Sequence, residues 1–266
     1  MLTSNTNIIV AIGGKRLFSY KRLKLHQPIN DHHRLELILD NDVAAAALKD
    51  GTEWLGKRIE VWGEGNDSLR FAGIVTQVNL CRKSLDSGHV RVSAHSTTYL
   101  LENAASYHSW LGRKLGEIVA ELCKKAGVPA QVAAENPYSV GYVAQNGESD
   151  FAFIRRLAAT YQEWLYYDGT KLVFGKPRPP KTVKLEFDTT LTSFEMGLQT
   201  LARPAKVFSY LSKADHTMAE DTPNTPKGQD LLGYKAFDAS MAMFREPAAQ
   251  HALSLAYIIW QSWRDM

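Results

Sequence analysis

From the start of the chain to about residue 100 the dominant hydrophobic period is two. In HRLELILD, Leu35, Leu37 and Leu39 share one face of an extended chain, and Arg34, Glu36 and Ile38 share the other. KRIEVWG sets Ile59 and Val61 against Arg58, Glu60 and Trp62. FAGIVTQVNL lines up Ile74, Thr76, Val78 and Leu80, and HVRVSAH lines up Val90, Val92 and Ala94. Turn signals separate these runs at Gly13-Gly14, at Gly63-Glu64-Gly65-Asn66-Asp67 and at Asp86-Ser87-Gly88. Alternation with one wet face predicts an antiparallel sheet, and so many short strands must close or stack to hide their edges. A small barrel or sandwich is therefore expected.

The period then lengthens. In WLGRKLGEIVAELCKKAGVP, Leu111, Leu115, Ile118, Val119 and Leu122 fall on one helical stripe, with Lys124 and Lys125 in the last turn, Gly127 as a stop and Pro129 beyond it. A second helix is predicted from Ser149, an N-cap, with Asp150 in its first turn and Phe151, Ile154, Leu157, Ala158 and Tyr161 as its buried face. WLYY, Asp168-Gly169 and TKLVFG then spell a hairpin with a two-residue turn. KPRPPK, Lys176 to Lys181, reads as a stiff extended linker and the clearest domain boundary. VKLEF and the run Ala205 to Leu211 resume strand character, and Ala214 to Asp230 reads as a long mobile loop. A last helix is expected in EPAAQHALSLAYIIWQSWRDM, with Pro247 in its first turn and an apolar stripe of Leu253, Tyr257, Trp260 and Trp263. Nothing in the sequence covers that stripe, which makes Tyr257, Trp260 and Trp263 a candidate subunit contact.

Composition narrows the function classes. At 266 residues two domains are a reasonable expectation, and 45% hydrophobic with 22% charged residues places the chain among folded proteins. The net charge of +3 is too small for a dedicated nucleic-acid binder. Two cysteines far apart, Cys81 and Cys123, make no disulfide framework and no zinc knuckle, so free thiols in a reducing compartment are expected. The apolar run Ile8 to Ile12 has no basic residue before it, and ALSLAYIIW is about half of the roughly 20 residues a spanning helix needs. A soluble chain made in the cytoplasm, without a membrane anchor, is the expectation.

Candidate chemistry is thin. His89 and His95 lie about 20 Å apart along one strand, and His32 and His33 are neighbours that a strand would point to opposite faces, so solvated strand ends are expected rather than a metal site. Gly13-Gly14-Lys15 lacks the spacing of a phosphate loop, and no G-x-S-x-G, H-E-x-x-H or C-x-x-C occurs. Glu60, Glu64 and Asp67 cluster around a wet turn rather than as a glycosidase pair. The aromatic residues of WLYYDGTKLVF fit cross-strand pairing in a hairpin, and Arg155 and Arg156 a solvated helix face. No catalytic residue, cofactor or metal ligand is assigned.

Three stretches carry a family resemblance. Glu148-Ser149-Asp150, then Phe153, then Arg156-Leu157, followed by a Tyr-rich strand, resembles a motif of the baseplate hub family of contractile tails: the late-control protein D type of phages and the VgrG spike proteins of type VI secretion. WLGKRIEVW…LRFAGIVTQVNL and YLLEN…WLGRKLGEIVAELC resemble the strands and the following helix of the family's first barrel. The resemblance covers most of residues 20–175; in place of the glycine that usually precedes the Tyr-rich strand stands Glu163-Trp164.

The resemblance implies a scaffold rather than an enzyme. Members form trimers in which each chain contributes two barrel-like tube domains, so that a ring of six joins a six-fold tail tube to a three-fold spike. Implied partners are two further copies of the full-length chain, the tube protein, and a spike or effector domain. No sequence-specific nucleic acid is implied. The implied location is the bacterial cytoplasm during assembly, then the tip of the injection machine outside the cell, or a virion tail. Glu148, Ser149, Asp150, Phe153, Arg156 and Leu157 would form the structural motif, with the helix and hairpin acting as a clip between barrels.

The expected fold is α+β, mostly β. Residues 1–105 form a first β-barrel-like tube domain, 106–182 a small helix-plus-hairpin insertion, and 183–266 an incomplete second tube domain ending in a helix. The sequence stops inside that domain, so a fragment, or a spike supplied by another polypeptide, is expected. The competing functional readings are a phage tail-associated lytic enzyme component and a monomeric binding module.

Overall fold

A computed structural model of the chain describes residues 8–39, 53–63, 69–81 and 88–177, and beyond these 182, 184–188, 191, 193–195, 197–200, 204–211, 215–221, 231–244 and 248–251. The chain divides into two compact units, Met1–Pro177 and Arg178–Met266.

The first unit opens with seven strands: β1 (Ile8–Ile12), β2 (Lys15–Arg16), β3 (Arg22–His26), β4 (Arg34–Leu39), β5 (Arg58–Gly63), β6 (Leu69–Cys81) and β7 (His89–Ser96). They form one antiparallel sheet in the order β2-β1-β5-β6-β7-β4-β3. The sheet curls into a half-barrel around the alternating residues that the period of two singles out: Leu35, Leu37, Leu39, Ile59, Val61, Val90, Val92 and Ala94 are all buried in its core. Strand β6 departs from the expected pattern. Its register with β7 shifts between Val75 and Gln77, so Thr76 is an extra residue and the faces exchange there. Val75 is buried in the core, and Leu80 is 51% exposed, rather than Ile74, Thr76, Val78 and Leu80 sharing one face.

A 3₁₀ turn, Thr97–Leu101, leads out of the sheet. There follow β8 (Ser106–Lys114), α1 (Leu115–Lys125), β9 (Ala130–Ala133), β10 (Ser139–Glu148), α2 (Asp150–Tyr161), β11 (Leu165–Tyr167) and β12 (Leu172–Gly175). Leu115, Ile118, Val119 and Leu122 of α1 and Phe151, Ile154, Leu157, Ala158 and Tyr161 of α2 bury together in a second core. The first helix stops where Gly127 takes φ +68°, a left-handed conformation open to glycine. Leu111 is not on that helix. It sits in β8 opposite Tyr142 of β10 and is 78% exposed, because the β8–β10 ladder satisfies its backbone up to Lys114.

The hairpin is present with a longer turn than expected. Tyr167 pairs with Leu172, leaving four loop residues instead of two. Asp168 Oδ1 organises them, accepting from the Thr170 and Lys171 amides at 2.8 and 2.9 Å. Strand β12 also pairs in parallel with β9, a contact between distant segments that local pattern does not encode.

In the second unit, β13 (Pro204–Leu211) lies between β14 (His216–Asp221) and, after α3 (Leu231–Met243), the parallel strand β15 (Ala248–His251). Strand character over Ala205 to Leu211 holds. Lys184 to Phe187, the described part of VKLEF, carry no strand, only an isolated bridge between Phe187 and Leu191. The segment read as one long loop carries β14, paired along its length with β13. Ala248–His251, expected in the first turn of the last helix, is a strand because its backbone pairs with β13. The stripe Leu253, Tyr257, Trp260 and Trp263 lies outside the described residues. The fold is α+β and mostly β, as the periodicity implies.

Candidate functional site

The first unit has two cores, and its densest polar geometry lies where they meet. Glu148 to Leu157 supply one side. Ser149 is extended (φ −68°, ψ 160°), and its Oγ accepts the Ala152 amide at 3.1 Å, which caps α2. Asp150 is 1% exposed, an arrangement a carboxylate tolerates only when its oxygens are satisfied. Here Asn103 Nδ2 and Gln145 Nε2 each donate to it at 2.8 Å, and its own amide donates to Asn103 Oδ1 at 3.0 Å. The positive end of the helix dipole adds to that support. Asn103 lies just past the 3₁₀ turn, after its C-cap Glu102, so Asp150 ties the exit of the half-barrel to the start of α2.

One turn further on, the Arg156 guanidinium grips the Glu148 carboxylate with both Nε and Nη2, and Nη2 donates to the Ala144 carbonyl at 2.7 Å. Its Cζ stands 5.1 Å from the centroid of the Phe153 ring, which stacks in turn on Trp110 of β8 at 5.1 Å and 12°. Leu157 is 1% exposed in the same core as Leu165, Leu172 and Phe174 of the hairpin. The six motif residues thus converge on one helix N-terminus and the ribbon beneath it. Ser149→Ala is expected to lower stability by about 0.5–2 kcal/mol, read from thermal melting; a melting temperature unchanged within error would contradict the cap.

The helix ends on Gln162 with φ 55° and ψ 35°, left-handed at a residue that is not glycine, immediately before Glu163-Trp164. That conformation costs a side-chain-bearing residue about 1 kcal/mol. Gln162→Gly is expected to raise the melting temperature correspondingly, and an unchanged or lower value would show that interactions of the Gln162 side chain outweigh the strain.

The other side of the junction was not legible as such. His32 and His33, expected as solvated strand ends, are 5% and 3% exposed. The His32 ring lies 3.9 Å from the Phe151 ring of α2, with Nδ1 2.7 Å from Thr98 Oγ1 and Nε2 3.1 Å from Glu102 Oε1. The His33 ring stands edge-on to Tyr167 of β11 at 5.3 Å. Tyr167 is an insertion residue buried in the half-barrel core, where its hydroxyl donates to the Ala72 carbonyl at 2.8 Å and accepts from Thr97 Oγ1 at 3.1 Å. Two backbone bonds cross beside it, Ala72 N–H to Gly169 O at 2.7 Å and Asn30 N–H to Leu165 O at 3.0 Å. Gly169, at φ +102°, comes so near β6 that a Cβ there would sit 2.2 Å from the Arg70 carbonyl oxygen.

Burial sets the electrostatics. It pushes the His32, His33 and His95 imidazoles below their ordinary value, His33 to about 4; for His32 the neighbouring Glu102 opposes the shift without cancelling it. Burial, with a smaller contribution from Asp150, pushes the Cys123 thiol up to about 12, so it is not a nucleophile at neutral pH. Among the described residues no group of three or more His, Cys, Asp or Glu side chains could hold a metal ion, and no helix is long and apolar enough to cross a membrane. An open groove of about 750 Å³ runs beside α2, but Glu148 and Arg156 on its wall are committed to each other. The junction's polar groups are spent on one another, an arrangement that fixes two substructures in register.

Among known proteins, the model of the phage tail baseplate hub (GPD) family matches residues 29–177, which contain every element of this junction. No curated protein matches the sequence significantly. Among solved structures, a tail protein from Neisseria meningitidis MC58 superposes with a TM-score of 0.63 at 14% identity, covering 94% of this chain and 72% of that one. The 43 kDa tail protein of prophage MuSo2 from Shewanella oneidensis gives 0.60 at 17% identity, covering 81% and 68%. Both likenesses are of fold.

Proposed function

The chain belongs to the phage tail baseplate hub family, and from that premise we propose that it is a structural hub component of a contractile injection machine, adapting a six-fold tube to a three-fold spike. The family is generally non-enzymatic. The observation that carries the reading is the curled seven-stranded sheet, whose order among the described residues leaves β2 and β3 as edges. An open sheet exposes a row of unpaired backbone groups, and pairing with a neighbouring subunit is one way to satisfy them.

In this proposal residues 1–105 form a first tube domain, 106–182 the insertion and 183–266 part of a second tube domain, with three chains supplying a ring of six. The motif from Glu148 to Leu157 holds the insertion against the first tube domain, and Tyr257, Trp260 and Trp263 contribute to a subunit contact. The partners are two further copies, the tube protein above and a spike or effector domain below. The protein then resides in the assembled tail or at the tip of a secretion machine, and it transmits force without a catalytic residue. Native mass spectrometry of the protein expressed from its full natural reading frame tests this. A mass of three chains is expected; a monomer at micromolar concentration would contradict it.

A further inference from the structure

We propose that His32 and His33 form an acid-sensitive latch between the half-barrel and the insertion. The two residues lie in the segment that leads into β4, yet each ring packs on an aromatic of the insertion: Phe151 from the helix, Tyr167 from the hairpin. The latch is independent of how many chains assemble.

Its sensitivity follows from a hydrogen-bond chain that runs in one direction. The Glu102 carboxylate only accepts, so His32 Nε2 carries the ring proton and donates to it. Nδ1 of the neutral ring is then the acceptor, and Thr98 Oγ1 donates to it at 2.7 Å. The Thr98 hydroxyl hydrogen is thereby used, so Ser96 Oγ donates to Thr98 Oγ1 at 2.7 Å while accepting the His33 amide at 3.1 Å. Every group is satisfied, and Ser96 and Thr98 are 0% and 2% exposed, so water does not reach them.

A second proton on His32 goes to Nδ1 and faces the Thr98 hydroxyl. Thr98 must then turn its hydrogen to Ser96, and the Ser96 hydroxyl loses its acceptor inside a dry network. At His33, Nδ1 lies 3.3 Å from Gln27 Nε2, an amide nitrogen that only donates, so this ring too is held neutral with Nδ1 as acceptor.

The charged and titratable neighbours do not rescue either cation. Around His32 stand Glu102 and Asp31, which favour charge, against Arg34, which opposes it. His95 on β7 is coupled to His32 by mutual repulsion of their charged forms. From α2, Asp150 is committed to Asn103 and Gln145. Around His33, Asp168 favours charge, while His26 and His32 oppose it. Each ring therefore makes protonation of the other harder in the closed state.

Because the folded-state value is depressed, the closed latch is fully stable above the ordinary histidine value. It weakens as pH falls from 6.5 towards about 4, the window given by His33. Linkage at His33 alone then raises the opening equilibrium about twentyfold between pH 7 and pH 5.

Hydrogen exchange read by mass spectrometry, corrected for the intrinsic pH dependence of exchange, tests the latch. Between pH 7 and pH 5 the protection of the junction amides of Ala72 and Asn30 is expected to fall at least tenfold, while that of Val92 in mid-sheet holds. The double variant His32→Gln, His33→Gln is expected to lose this pH dependence. Unchanged junction protection in the native chain, or an equal loss in the double variant, overturns the proposal. Should the double variant not fold, the imidazole proton resonances of the native chain decide. Titration of His32 and His33 together with junction opening, at a midpoint below 6.5, supports the latch; titration of the rings while the junction amides stay protected overturns it.

Discussion

Leu157→Asp is expected to unfold the insertion. Leu157 is 1% exposed on the face of α2 that shares a core with Ile118, Leu122, Leu165 and Phe174. The neighbouring cation, Arg156 over the Phe153 ring, is bonded to Glu148 and the Ala144 carbonyl, so a carboxylate placed there must either stay charged without a ready partner or take up a proton. Losing the leucine contacts costs about 2–5 kcal/mol, and burying the carboxyl group adds several more. The sum approaches the whole stability of an ordinary domain. Loss of near-ultraviolet circular dichroism, with aggregation at micromolar concentration, is the expected result. Leu157→Met, which conserves volume, should cost less than about 1.5 kcal/mol and controls for mere intolerance of change. A soluble Leu157→Asp variant with native dichroism would contradict the packing.

Asp150→Ala is the second large effect, and it acts through polar groups rather than volume. It removes the acceptor of both Asn103 Nδ2 and Gln145 Nε2. Gln145 keeps its bond to the Glu148 carbonyl at 3.0 Å, but the Asn103 amide is left without that partner, and the helix loses a negative charge at its positive end. A loss of about 3 kcal/mol is expected, which for a unit of this size lowers the melting temperature by roughly 6–12 °C. Asp150→Asn should recover little of it, because an amide presents a donor where two donors already point. A double-mutant cycle with Asn103→Ala should return a coupling of at least about 1 kcal/mol. Melting within about 2 °C of the native chain would show that this bond network does not hold the junction.

The sequence revealed the parts of this junction more readily than their meeting. Strand and helix faces were legible because each has a local period: Leu35, Leu37 and Leu39 alternate, and Ile118, Val119 and Leu122 repeat at helical spacing. Ser149 was legible because capping is decided within three residues. Thr76 was not, since one extra residue in β6 exchanges the faces beyond it and no single strand records its partner's register. His32 and His33 were misread for a related reason. Neighbouring residues at the start of a strand point to opposite sides, and on a half-covered sheet one of them should be wet. Here the insertion returns on both sides, Phe151 over one ring and Tyr167 against the other. Only contacts between residues some 120 or more positions apart reveal that. The roles of Asn103 and Gln145 as partners of Asp150 are hidden in the same way.

These details share one mechanical meaning. Tyr167 in the half-barrel core, Asp150 on Asn103 and the hairpin loop on β6 tie half-barrel and insertion together, which is what the proposed scaffold role needs. Electron microscopy of assembled tails carrying a gold-labelled copy of the protein tests that role most directly. The account predicts label at one end only, where tube meets spike; label spread along the tube, or found solely on free protein beside unlabelled tails, would contradict it.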